Sequence, residues 1–181
     1  MFEISNKNIE LFKKTSLVWK EGSTCARLKV GCCIFNKKGR CVITSYNGTI
    51  SGMLNCNAIF NFDDNSVNFD KLHELEPTWE PNLKGIQNIK VNKIRDLHHK
   101  FSEKYEIHAE MNAILNLNKT NSNVSLQDCI IMITTEPCIN CMKLIAASGI
   151  KTVFYIEKYD RNDETVISNL SKNLGLNMIK I

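Results

Sequence analysis

Two short motifs that have to meet at one metal ion constrain this chain more than anything else in it. His108-Ala109-Glu110 offers an imidazole and a carboxylate, and downstream Pro137-Cys138-Ile139-Asn140-Cys141 offers two thiols. Zinc takes Cys sulfur and His nitrogen tetrahedrally, and a catalytic site keeps three protein ligands and leaves the fourth position to water. His108, Cys138 and Cys141 are the three candidates. The two cysteines are spaced i, i+3, so at the first turn of a helix they lie on one face. Pro137 suits a helix start, because its missing N–H would be an orphan there. A helix N-terminus beside a metal also lowers thiol pKa, so thiolates are available at neutral pH. Glu110 opens the apolar-periodic run Met111, Ala113, Ile114, Leu115, Leu117. It projects from the same helix end as His108 and is placed to move protons without being a ligand.

Alone, each motif is weak. His and Glu two residues apart recur on solvated helix faces, and Cys-x-x-Cys is shared by zinc knuckles, iron–sulfur sites and thioredoxin-like pairs. Together, with a proline before the first cysteine and helix-like stretches under both, they point to a hydrolytic metal site.

A chain of 181 residues is most economically a single domain spanning 1–181, long enough to bury roughly 68–70% of its unfolded surface without staples. Its eight cysteines do not indicate a secreted disulfide framework, since the N-terminal MFEISNKNIELFKK has no apolar run after its basic residues. A reducing, cytoplasmic setting is expected. No stretch approaches the ~20 apolar residues of a membrane span, so no membrane partner is expected. The net charge of +4 is mild and its lysines are dispersed, which fits a small anionic substrate and no nucleic-acid partner.

Along the chain, residues 8–20 carry apolar side chains at helical spacing, and 30–35 and 41–46 are β-rich runs around the turn signal Asn36-Lys37-Lys38-Gly39. Residues 50–104 read as irregular and polar, too long for a structureless loop, so something must organise them. From His108 a regular alternation predicts a helix to 118, strand 129–134, helix 139–148, strand 152–156, helix 164–173 and strand 176–181. This argues an α/β layered fold with a parallel portion. Both metal motifs then fall at helix N-termini beside strand ends, where such sheets bind ligands.

His-x-Glu followed by Pro-Cys-x-x-Cys is the signature of zinc nucleobase deaminases. With Lys29-Val30-Gly31, Tyr46-Asn47-Gly48, Asn55-Cys56, Glu106-Ile107, Asn112-Ala113-Ile114, Ser148-Gly149-Ile150-Lys151 and Tyr159-Asp160 in order around it, the chain resembles the phage-type deoxycytidylate (dCMP) deaminases. The resemblance covers most of the length. It implies a three-layer α/β/α cytidine-deaminase-like fold with a central five-stranded mixed sheet. It also implies hydrolysis of dCMP to dUMP and ammonia, supplying dUMP for dTMP synthesis, by a homo-oligomer with dCTP and dTTP as effectors. Relatives of this type hold a second, structural zinc, and the matching positions are Cys25, Cys56, His98 and Glu106, which would organise 50–104 as an insertion. Without the resemblance, Cys25 and Cys56 read as ordinary buried thiols and His98 as a surface residue. His99 is an alternative ligand, His73 a surface residue, and Cys32, Cys33, Cys41 and Cys129 core thiols. Asn47, Ala109 and Tyr159 are the implied substrate-binding residues. Ser45, Asn116 and Lys119 depart from the family pattern in segments tied to regulation and subunit contact.

The implied zinc lowers the pKa of water in its open position towards 7. Glu110 takes that proton while hydroxide adds at C4 of the ring, then delivers protons to N3 and to the departing amino group. Two rival readings share the motifs: a deaminase of tRNA or single-stranded DNA, and a zinc-stabilised binding module without turnover. The first lacks a dense basic stretch; the second has no use for Glu110. Arg27, Lys29 and Lys151 are candidate phosphate contacts.

Overall fold

The structure is a computed structural model and describes residues 4–79, 90–120 and 124–181. In chain order its helices are α1 (Asn6–Lys20), α2 (Phe69–Leu75), α3 (Val91–Tyr105), α4 (Ala109–Thr120), α5 (Ile139–Ala147) and α6 (Glu164–Leu174). Its strands are β1 (Gly31–Asn36), β2 (Cys41–Tyr46), β3 (Gly48–Thr49), β4 (Phe60–Asn61), β5 (Ser66–Val67), β6 (Glu106–Ile107), β7 (Cys129–Thr135), β8 (Thr152–Glu157) and β9 (Asn177–Lys180). These elements fall into two compact units. The first comprises the described residues of Met1–Ser23, Val30–Asn47 and His108–Ile181, the second those of Thr24–Lys29 and Gly48–Ile107.

The first unit is built on a five-stranded mixed sheet in the order β2-β1-β7-β8-β9. β1 pairs antiparallel with both β2 and β7, whereas β7, β8 and β9 run parallel. The alternation along each strand sorts the core. Cys32, Ile34, Ile131 and Ile133 face α4, α5 and α6, packing on Ala113, Met142, Ile145 and Ile167. Cys33, Phe35, Ile130 and Met132 face the other way, onto Phe12 of α1. This gives the α/β/α layering. β7 is buried along its whole length, as a strand covered on both faces must be, and each fully buried Ile or Met there contributes about 1.5–3 kcal/mol.

Local chemistry sets the ends of the elements. α1 begins at Ser5, whose hydroxyl accepts from the Asn8 N–H at 3.3 Å. The β1–β2 turn closes on Asn36, whose side-chain oxygen accepts from the N–H groups of Lys38 and Arg40 at 3.0 and 3.1 Å, with Gly39 at φ +73°. A Cβ at Gly31 would lie 2.1 Å from the carbonyl of Ser16, so α1 crosses directly over the start of β1. Cys32, Cys33 and Cys129 are core thiols, but Cys41 is exposed: it starts β2, the edge strand of this sheet.

The second unit has its own core of Ile59, Phe60, Phe69, Leu72, Ile94, Leu97 and Phe101. Here the structure corrects the irregular reading of 50–104, of which 80–89 lies outside the described residues. α3 is a helix of 15 residues that buries Ile94, Leu97, His98 and Phe101, a stripe at i, i+3, i+4 and i+7. Most of its other positions are polar or charged, which masked the period. His73 is half-buried, its Nε2 2.8 Å from the carbonyl of Trp79.

Candidate active site and metal centres

In the first unit α4 and α5 bring the two motifs together. His108 stands just before α4, its carbonyl accepting from the Asn112 N–H at 3.0 Å. Cys138 occupies the N-cap of α5, with Cys141 one turn on. Nδ1 of His108 lies 3.6 Å from Sγ of Cys138 and 3.3 Å from Sγ of Cys141. Zinc–sulfur and zinc–nitrogen bonds of ≈ 2.3 and ≈ 2.0–2.1 Å at the tetrahedral angle put S and N about 3.5 Å apart, so this donor set fits zinc.

Proton affinities in the triad are already polarised. Cys138 is pulled down to about 4 by the hydrogen bond from Cys141, aided by His108. Cys141, the donor to that thiolate and buried, is pushed up. One thiolate therefore exists at neutral pH, and a bound cation displaces the second thiol proton. Glu110 is 4% exposed, and burial raises its carboxyl above the usual carboxylate range despite the pull of His108.

The start of α4 is fastened to the end of β2. Ser45 Oγ donates to the carbonyl of Ala109 at 2.7 Å, and Asn112 Nδ2 donates to the carbonyl of Tyr46 at 3.0 Å. Asn47 follows directly, 8% exposed, its Oδ1 accepting from Ser23 Oγ at 2.7 Å and from the Val30 N–H at 2.8 Å. Both lone pairs of that oxygen are occupied.

The second unit assembles the other four candidates. The ligand atoms of Cys25, Cys56, His98 and Glu106 all lie within 4.8 Å of one another. Cys25 Sγ is 3.5 Å from Nε2 of His98. Oε2 of Glu106 accepts from Ser102 Oγ at 2.6 Å, while its Oε1 is buried without a hydrogen-bond partner, an acceptor that a cation would satisfy. Cys25 is pulled down to about 3, first by its hydrogen bond from Cys56 and then by His98, and Cys56 is pushed up as the donor. His99 points away, its Nε2 3.5 Å from Glu103 one turn along α3, which leaves His98 as the histidine of the set. Two thiols, an imidazole and a carboxylate make a four-donor group whose chemistry suits zinc.

Lys151 is no phosphate contact. It precedes β8, whose Thr152 pairs with Ile130 at the N-terminal end of β7, whereas the site lies beyond the C-terminal end of β7, about 20 Å along the strand. Its ammonium reaches the carbonyl of Leu174. Arg27 and Lys29 are exposed residues flanking Cys25 in the second unit.

Sequence reasoning missed Glu136. It is 4% exposed, with Oε1 3.1 Å from Lys158 Nζ and Oε2 2.9 Å from Asn162 Nδ2. Burial pushes its carboxyl up, and Asn162 and Lys158 more than offset this, leaving it below the usual range. The only signal in the sequence was an acid directly before Pro137-Cys138. Tyr159 is half-buried in the same 158–163 segment.

Among known proteins, residues 5–157 match the family described as the cytidine and deoxycytidylate deaminase zinc-binding region. The chain is 32% identical over 163 residues to the deoxycytidylate deaminase of Enterobacteria phage T2, covering 88% of this chain and 84% of that one. To the human deoxycytidylate deaminase it is 29% identical over 167 residues, covering 92% and 74%. Among solved structures, the dCMP deaminase of cyanophage S-TIM5 in complex with dCMP and dUMP superposes with a TM-score of 0.66 at 24% identity, covering 99% of this chain and 100% of that chain, a likeness of fold.

Proposed function

The chain belongs to the cytidine and deoxycytidylate deaminase family, and from that premise we propose that it hydrolyses dCMP to dUMP and ammonia. One observation carries the reading: a three-donor set, His108, Cys138 and Cys141, beside a buried carboxylate, Glu110, that is not part of it. Those three side chains would hold zinc, which would make hydroxide available at neutral pH by lowering the pKa of water to about 7.

The rest is done by the chain. Glu110 accepts the proton of the attacking water and returns protons to N3 and to the amino group at C4, which leaves as ammonia. Its raised proton affinity suits a group that must hold a proton between two transfers. Ala109 is fully buried, so it serves a substrate through its backbone N–H, one of the orphan donors of the α4 N-terminus. Asn47, held in place by Ser23 and the Val30 N–H, is read as a contact for the nucleoside, and Tyr159 contributes a wall of the site from the segment after β8.

The second donor set, Cys25, Cys56, His98 and Glu106, is read as a structural zinc site that makes 50–104 an organised insertion in one deaminase domain spanning 1–181. Four of the eight cysteines are donor thiols that must stay reduced, which supports a cytoplasmic setting. Among the described residues no helix is long and apolar enough to cross a membrane. Met111 and Leu115, one turn apart on α4, are 38% and 44% exposed, supporting a homo-oligomer, with dCTP and dTTP as effectors that bind its states unequally.

Incubating the purified protein with dCMP, dCTP, deoxycytidine and a cytosine-containing oligonucleotide, and recording ammonia release, tests the assignment. Release from dCMP foremost is the expected result; release from the oligonucleotide alone would transfer the enzyme to the nucleic-acid deaminases.

A further inference from the structure

Glu136 takes no part in the chemistry above, yet both of its carboxylate oxygens are held by side chains of one later segment. It stands at the turn from β7 into the cysteine motif, and its own N–H donates to the carbonyl of Glu157 at 2.8 Å. Its two side-chain oxygens are divided between Lys158 and Asn162. The same Asn162 nitrogen that meets the carboxylate also donates to the carbonyl of Pro137, at 3.1 Å. Asn162 further closes a turn through its backbone N–H onto the carbonyl of Tyr159 at 2.9 Å. Lys158, at the other end of the segment, is shared with Glu164 at 3.4 Å.

An apolar side chain would fill this buried position without taking a charge out of water, and a buried ion pair is weak evidence for stability as such. What the arrangement supplies is a fixed relation between two backbone segments. The primary amide of Asn162 has two N–H groups, and they go to one acceptor on each side of the Glu136–Pro137 bond. A hydroxyl has one proton and a carboxylate none, so neither reproduces both contacts.

We infer that Glu136 and Asn162 are positioning residues that lock the segment 158–163, with Tyr159, to the loop that carries Cys138. The wall offered to the substrate and the cysteine half of the metal centre are thereby held as one body. The substrate side of this inference rests on the deaminase reading; the lock does not. Sub-ångström placement of binding groups is what such contacts secure, and small misplacements reduce productive binding steeply.

The test uses zinc-loaded protein and the nearly isosteric Asn162→Asp, which turns a double donor into an acceptor facing Glu136 and the Pro137 carbonyl. The KM for dCMP should rise at least about tenfold, the loss expected of one hydrogen bond to a charged group, with kcat and zinc content close to the parent's. Amide hydrogen exchange in 158–163 should quicken. Glu136→Gln/Asn162→Asp restores a donor–acceptor pair between the two side chains with its polarity reversed and should recover part of both effects, the contact to the Pro137 carbonyl staying lost. Unchanged KM and exchange in Asn162→Asp would overturn the lock, as would a loss of kcat that simply tracks a loss of zinc. If Asn162→Asp does not fold, Glu136→Gln measured in the same way decides. Should the parent protein release no ammonia from dCMP, the deaminase reading fails, and exchange of 158–163 still decides the lock by itself.

Discussion

The hydroxyl of Ser45, at the end of β2, lies 2.7 Å from the carbonyl oxygen of Ala109, the residue between His108 and Glu110. A side chain on an edge strand thus fixes the first turn of the helix that carries the chemistry. Ser45→Ala removes that bond from a buried position, at about 0.5–1.5 kcal/mol, and should lower the melting temperature by about 1–6 °C in a chain of this size. Calorimetry on zinc-loaded protein measures it; an unchanged transition would mean that the bond is not formed in solution.

Glu110→Ala should leave zinc content and the unfolding transition close to the parent's while lowering turnover by at least ~10²–10⁴-fold, the range for loss of a general acid–base group. Metal analysis alongside steady-state kinetics checks both halves. Near-normal turnover in this variant would remove Glu110 from the mechanism.

The two donor sets should bind one zinc each and fail differently. Cys138→Ser is expected to lose one ion and all deamination. Cys56→Ser is expected to lose the other and to loosen residues 48–107, because the free energy of a structural zinc is folding free energy. Metal counts combined with limited proteolysis separate the two cases; a single zinc in fully active protein would count against the four-donor site.

Acid should act on the second unit through Glu76. Hydrogen bonds from Lys104, and then from Tyr105, hold its carboxyl below the usual range. A depressed folded pKa stabilises the fold above the unfolded value, about 4.3, and that contribution disappears as pH falls through the lower folded value. Glu76→Gln should therefore lose stability at neutral pH and converge on the parent only as pH falls below the depressed folded value. Comparing the two proteins pH by pH cancels every titrating group that they share; parallel curves would refute the role.

Preference for dCMP over deoxycytidine should be wide and should weaken with salt, since a site that pairs a phosphate is left with unmatched donors when the phosphate is absent. Lys151→Met should leave that preference intact, because Lys151 lies at the far end of β7. The response to dCTP should be weak or absent, given Ser45, Asn116 and Lys119. A sigmoidal dCMP curve made hyperbolic by dCTP would show that regulation survives them.

The sequence determined the chemistry at the centre and most of the frame. His108, Cys138 and Cys141 were legible as a donor set because metal ligation fixes residue type and local spacing together, and Glu110 was legible through its place two residues after His108. The strands and helices from β7 onward were legible because each is one periodic segment with its own cap or turn. α3 was not, since four apolar or aromatic positions among charged neighbours show their stripe only once there is a core to face.

Other features existed only in tertiary structure. That His98 and not His99 joins Cys25, Cys56 and Glu106 depended on which side of α3 turns inward. Lys151 was excluded by the direction of β8 relative to β7, which no local pattern encodes. Glu136, Lys158 and Asn162 are ordinary polar residues in sequence, and they become a lock because parallel β7 and β8 end side by side and deliver them to the same few ångströms. Spacing along a chain specifies what one helix or one turn can hold; which segments share an end of the sheet is decided by strand order, and that is settled by the packing of the whole core.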